Sequence, residues 1–298
     1  MPTKRKTYEQ SIRARVLGER MRELRDQRGL TLKFVAAHLG VEFSTLARYE
    51  RAEWPFREEY VAALLNMYGV YDEDERVELV DLARGVWRVN HWDRDFKTKE
   101  SVTPFVDYTW LETRATEVNC FGTMYVPDLL QTDAYADALV ASGTKPLLPQ
   151  HDLGLVTHRL RDRQQAFFSN DGLRLHTIIE ESVLHRPIGG VGVLGDQILY
   201  LDKLTRRSDD KITIQVLPTR AGGHPGLDGC FTLLAMADFP PVAYVSHLAG
   251  RFFIEAAHAE YYARTYEQLR EAAHNVPESA ALVAELAQAL TGVARVSV

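Results

Sequence analysis

Three groups of residues in this chain have types and spacings suited to chemistry. Ser44, Arg48 and Arg51 stand at i, i+4 and i+7, so a helix over this stretch sets a hydroxyl and two guanidiniums on one face. A guanidinium there has the fork to bond guanine through two nitrogens. Ser44 and Thr45 can reach bases or phosphates, and Phe43 can pack on a thymine methyl. The second group, Gly190-Val-Gly192-Val-Leu-Gly195, is a literal G-x-G-x-x-G. In a dinucleotide site the first glycine follows its strand directly, whereas here SVLHRPIG intervenes. The next strand also ends in Leu217-Pro218-Thr219, with no acid to hold a ribose, so the glycines read as a turn. A second glycine-rich run, Gly222 to Gly229, joins two strands rather than opening a helix and reads as a loop. The third group is His158, His176, Glu180, Glu181, His185, His224 and His247. It contains no HExxH, no nucleophile elbow and no two-histidine ligand spacing. Glu180 and Glu181 at a strand end read as solvated or capping groups. No catalytic residue, metal or cofactor is expected, and the chain reads as a non-enzyme.

The elements that must position the first group follow from periodicity. Leu17, Met21 and Leu24 predict a helix from Val16, stopped by Gly29. Thr31 caps a second helix, Leu32 to Leu39, with Leu32, Val35, Ala36 and Leu39 on its apolar face and Gly40 at its end. A third runs from about Glu42 to Arg51 and turns Leu46 and Tyr49 inward. A fourth, after Pro55, carries Tyr60, Val61, Leu64, Leu65 and Tyr68. A fifth, near Asp74–Val89, is read as a connector with Val80, Ala83 and Trp87 on one stripe. Beyond it, helices are expected near 131–141, 153–168, 194–204, 253–273 and 279–290. Strands are expected at 173–179, 212–217, 230–235 and 242–248. The fold class is therefore α+β: an all-helical head followed by an α+β body. The expected domains are a flexible basic arm over 1–15, a helix-turn-helix over 16–70, a connector helix over 71–92 and a regulatory domain over 93–298.

The chain has 298 residues, 46% hydrophobic and 26% charged, which excludes a mainly disordered polymer and allows two domains. Its net charge of −6 hides an asymmetry: residues 1–70 carry 13 Lys and Arg against 9 Asp and Glu, the rest 22 against 32. A basic head on an acidic body suits a chain that meets a polyanion at one end. Cys120 and Cys230 are too few for a disulfide framework and lack metal-ligand spacing. With no secretory signal and no apolar run of membrane length, a cytoplasmic protein is expected. The arm residues Lys4–Lys6 either reach the minor groove and neighbouring phosphates or are plain disorder; sequence leaves both open.

From LGERMRELRDQRGLT through ALLNMYGV the chain resembles the Xre/phage-repressor class of DNA-binding domains. That resemblance implies that the Glu42–Arg51 segment is the recognition helix and that Phe43, Ser44, Thr45 and Arg48 are its base-contacting positions. It puts Thr31 and Leu32 at a helix start that touches phosphate, where Lys33 and Arg51 add charge. It also implies a structural ion pair between Arg25 and Glu50. The chain departs from the pattern at Glu42 and Phe43, and at Ala52, where relatives have Gly. In the body, Val126-Pro-Asp-Leu-Leu-Gln-Thr132, Arg159-Leu-Arg-Asp-Arg-Gln164, Glu181-Ser-Val-Leu-His-Arg-Pro187, Val216-Leu-Pro218 and Pro277-Glu-Ser279 occur in order. Together they resemble the C-terminal domain of actinobacterial Xre regulators of the Scr antitoxin-like (WhiJ-like) type. The resemblance implies a transcription regulator, often a repressor. It would bind an inverted repeat in double-stranded DNA as a homodimer, its body docking a small toxin-like or BldB-like protein encoded nearby. A ligand-sensing body is the alternative.

Overall fold

The computed structural model describes residues 10–86, 103–142, 153–207, 209–237, 240–247 and 250–296. They form two compact units, Met1–His91 and Trp92–Val298.

Among its described residues the first unit holds five helices: α1 (Ile12–Gln27), α2 (Leu32–Leu39), α3 (Phe43–Glu50), α4 (Glu58–Tyr68) and α5 (Glu73–Gly85). Each begins or ends where local chemistry dictates. The Thr31 hydroxyl accepts the Phe34 amide, and Gly40, at φ 67°, closes α2 in the left-handed conformation that costs other residues. Asp72 accepts the Glu75 amide to start α5. Leu17, Met21, Val35, Leu46, Val61, Leu64 and Leu65 form the centre, each essentially inaccessible to water.

Two boundaries differ from the sequence reading. Helix α1 starts at Ile12, not Val16, because Ser11 caps it and Ile12 and Ala14 are already buried. Residues 11–15 are therefore packed, and the arm's remaining residues, Lys4–Lys6 included, lie outside the described residues. Helix α5 is not a bare connector: Leu79, Leu82, Ala83 and Val86 join the same core, against α1 and α4. The Ser11 hydroxyl donates to the Val86 carbonyl at 2.7 Å, tying the start of the unit to its end. Trp87, placed on the α5 stripe by periodicity, lies outside the described residues.

The second unit is an α+β body around one six-stranded sheet. Its strands are β1 (Glu117–Gly122), β2 (Arg174–Glu180), β3 (Ile212–Leu217), β4 (Phe231–Ala235), β5 (Val242–His247) and β6 (Gly250–Ile254), in the order β3-β2-β1-β4-β5-β6. β1, β2 and β3 are parallel; β4, β5 and β6 continue antiparallel. The helices are α6 (Thr103–Arg114), α7 (Asp133–Ala141), α8 (Leu153–Ser169), α9 (Val191–Thr205), α10 (Ala256–Ala272) and α11 (Val276–Val296). Phe121, Ile178, Leu217 and Phe231 pack under Tyr266 and Leu269 of α10. The helix expected over 253–273 is in fact β6 followed by α10, with buried Glu255 at the junction. β1 and α6 had no counterpart in the sequence reading.

Candidate nucleic-acid interface

Helix α3 presents two faces. Leu46 is fully buried and Tyr49 nearly so, stacked on Phe56 at 5.0 Å, and these fix the helix to the core. On the opposite side Phe43, Ser44 and Arg48 are exposed and Thr45 is half-buried. Phe43 keeps 59% of its surface accessible. The bend between α2 and α3 is made by Gly40, with the Val41 amide donating to the Ala36 carbonyl at 3.0 Å.

Three features hold α3 in place. Gly18 of α1 lies so close to its C-terminus that an added Cβ would stand 2.7 Å from the Glu50 carbonyl oxygen. Arg25 forks onto Glu50, Nε to Oε1 at 2.7 Å and Nη2 to Oε2 at 2.9 Å, with both side chains buried. Arg25 also donates to the Leu30 carbonyl at 2.8 Å, so one guanidinium spans the α1–α2 turn and the end of α3. Its hydrogen bonds to Glu50 raise the arginine's proton affinity above its ordinary value. Third, the chain reverses at Ala52, whose φ of 55° is a left-handed conformation costing a non-glycine residue roughly 1–2 kcal/mol.

At the start of α2, Thr31 serves as the cap and Lys33 is exposed. Leu32 is half-buried against the core, so only its backbone amide, in the first helical turn, is suited to an anion. Phe34, which sequence reasoning passed over, is 58% exposed on that same turn. Its signal was available: it is a large aromatic off the stripe of Leu32, Val35, Ala36 and Leu39. Arg51, expected at phosphate, lies just past α3 and is bound to Glu53 at 2.7 and 3.2 Å. Arg48 stacks over the Trp54 ring at 4.8 Å, with Glu53 at 4.0 Å. The structure thus brings Phe43, Ser44 and Arg48 to one exposed face and pairs the exposed Arg51 with Glu53, the carboxylate that also stands near Arg48.

The body's glycines and histidines take structural places. Gly190 starts α9 at φ 94°, separated from β2 by a 3-10 turn over Glu181–His185. At Gly189 a Cβ would meet Ala138 of α7 at 2.7 Å, so this glycine serves helix packing. His224 accepts the Gly226 amide through Nδ1 and sets Nε2 3.2 Å from Glu180, pinning the glycine-rich loop to the end of β2. Glu181 accepts the Thr219 amide at 2.8 Å. Arg163 forks onto Glu112 at 2.9 and 2.8 Å in the interior and reaches Asp128 at 3.3 Å, while Gln164 donates to the carbonyls of Asp128 and Gln131. Ser279 accepts the Val216 amide at 2.9 Å. Several of the body's motif segments therefore hold one another. Burial pushes the Cys120 thiol up to about 12, which leaves no thiolate for nucleophilic attack at neutral pH. Among the described residues, no group of three His, Cys, Asp or Glu could hold a metal ion, and no helix is long and apolar enough to cross a membrane.

A helix locked by Leu46 and Tyr49, entered through a tight bend from a capped neighbour, defines the head as a helix-turn-helix domain. Residues 16–79 match a family described as a helix-turn-helix domain. Residues 105–285 match a family described as a domain of unknown function (DUF5753); that match covers more than half the chain, and the chain belongs to this family. No curated protein matches the chain, and no solved structure does.

Proposed function

We propose that the chain is a sequence-specific DNA-binding transcription regulator acting as a repressor, with α3 in the major groove. The observation that carries this is the row Phe43, Ser44 and Arg48, exposed on the face opposite core-locked Leu46 and Tyr49. Arg48 is the base-reading cation. Thr31, Leu32 and Lys33 at the start of α2 take phosphate through side chain and amide. Two copies on an inverted repeat would place their α3 helices about 34–36 Å apart, one turn of duplex.

In this reading the body, which carries the chain's acidic excess, docks a small toxin-like or BldB-like protein encoded nearby. The order of its motif segments and the absence of a catalytic constellation among the described residues support it. One observation favours a second reading, small-molecule sensing: a shallow groove between Asn119 and Leu233 of the sheet and Ala263, Tyr266 and Glu267 of α10.

The deciding experiment is selection of genomic fragments by the full-length protein beside a Ser44→Ala/Arg48→Ala double variant. Enrichment of one inverted repeat by the wild type alone is expected. No enrichment at low salt from folded protein would remove the head from DNA reading. Thermal shift with a metabolite panel, against co-purification with the neighbouring small protein, separates the two readings of the body.

A further inference from the structure

We propose that Glu53 is a specificity-determining residue of the α3 face, a fixed counter-charge that withholds Arg48 and Arg51 from DNA phosphate. The inference rests on the DNA-reading assignment of α3.

The geometry begins with the reversal at Ala52. Past that residue the amides of Glu53 and Trp54 both donate to the Arg48 carbonyl, at 2.8 and 3.3 Å, so the chain folds back along the end of α3. This return sets the Glu53 carboxylate against Arg51, bidentate, and 4.0 Å from the Arg48 Nε. It also slides the Trp54 ring under the Arg48 guanidinium, itself in edge contact with Tyr49 at 6.4 Å. Arg48, Arg51, Glu53 and Trp54 all remain about half accessible, so the cluster is not a core fastening. The bonds from Arg51 hold the Glu53 carboxyl below its usual range, so it carries its charge at neutral pH.

Non-specific binding is driven by cations replacing the duplex's counterions. Two arginines that share an adjacent carboxylate bring less net charge to phosphate, and the carboxylate itself is repelled by it. A guanine edge offers Arg48 two acceptors in the fork geometry, which phosphate contact alone does not require. Glu53 therefore weakens binding to arbitrary sequence more than binding to the right one, while Trp54 keeps Arg48 extended over a flat surface.

The test is a salt titration of full-length wild type and Glu53→Gln with short random-sequence duplexes, read by fluorescence anisotropy, followed by sequencing of the bound pool. Glu53→Gln is expected to bind random duplex several-fold tighter and to enrich preferred sequences less. Its plot of log K against log salt should be steeper by about one for each arginine released. Unchanged or weaker binding with an unchanged slope, where the wild type itself binds, overturns the role of Glu53 and leaves DNA reading intact. No binding by either protein at low salt overturns both, and binding by Glu53→Gln alone supports both.

Discussion

At the scale of single residues, the head keeps one arginine buried in an ion pair and another exposed on α3. Arg25 and Arg48 are both arginines of the same small unit, yet one is buried in a fork with Glu50 and the other is open to solvent. Arg25→Ala strands Glu50 as a buried unpaired carboxylate, and the head should lose about 3 kcal/mol, seen as a lower melting temperature with base preference unchanged. A normal melt with altered base preference would exchange the two roles. Arg48→Ala should leave the melt intact and cost about 1–3 kcal/mol of specific binding in a footprint titration. An unchanged ratio of specific to non-specific binding would take Arg48 out of the readout. Arg48 was legible in the sequence because a surface cation needs only the right helical phase. The engagement of Arg51 was not: it depends on the reversal at Ala52, and nothing periodic marks Glu53 and Trp54 as its consequence.

At the scale of elements, the clearest constraint is the crossing of α1 and α3 at Gly18. Alanine would ordinarily favour a helix by about 1 kcal/mol over glycine. Here its Cβ would meet two backbone carbonyls, of Glu50 and Tyr49, at 2.7 and 2.8 Å, and neither can rotate away. Gly18→Ala should therefore destabilise the head by about 1–3 kcal/mol and lower DNA affinity, because α3 must move to make room. Thermal melts paired with operator binding check it, and a more stable variant would show the crossing to be loose. Caps and stops such as Thr31 and Gly40 were readable because they act within a few residues. β1 was not: Val118 to Gly122 are all buried, so no alternation survives, and Asn119, Cys120 and Gly122 are weak strand formers. β6 was hidden for another reason. Phe252, Phe253 and Ile254 run into the alanine-rich start of α10 with only Glu255 between them, and the helical period of α10 masks the strand.

At the scale of the whole molecule, each unit has its own interior, and the body's carries a titratable group. The Gln215 amide donates to the His274 carbonyl at 2.8 Å, which turns its oxygen toward His176 and makes the His176 Nε2 the donor. Burial lowers the affinity of His176 for a second proton below that of an exposed histidine. Between the unfolded and folded pKa the unfolded chain binds more protons, so stability rises with pH there. The stabilisation is full above the ordinary histidine range, near 6.5, and is lost as pH falls toward the lower folded value. Calorimetry from pH 7 downward should show the body's transition falling, and His176→Gln should flatten that slope; an equal slope in both proteins would assign acid sensitivity elsewhere. The sheet order has a consequence of a different kind, for the order in which the chain becomes useful. β1 is flanked by β2 on one side and by β4 on the other, so the sheet cannot close around it until residue 235 has left the ribosome. Among the described residues, the core of the helical head ends at Val86. At usual elongation rates roughly ten seconds separate those two points. During that interval each nascent chain carries a finished α3 on a folded head while its body is still incomplete.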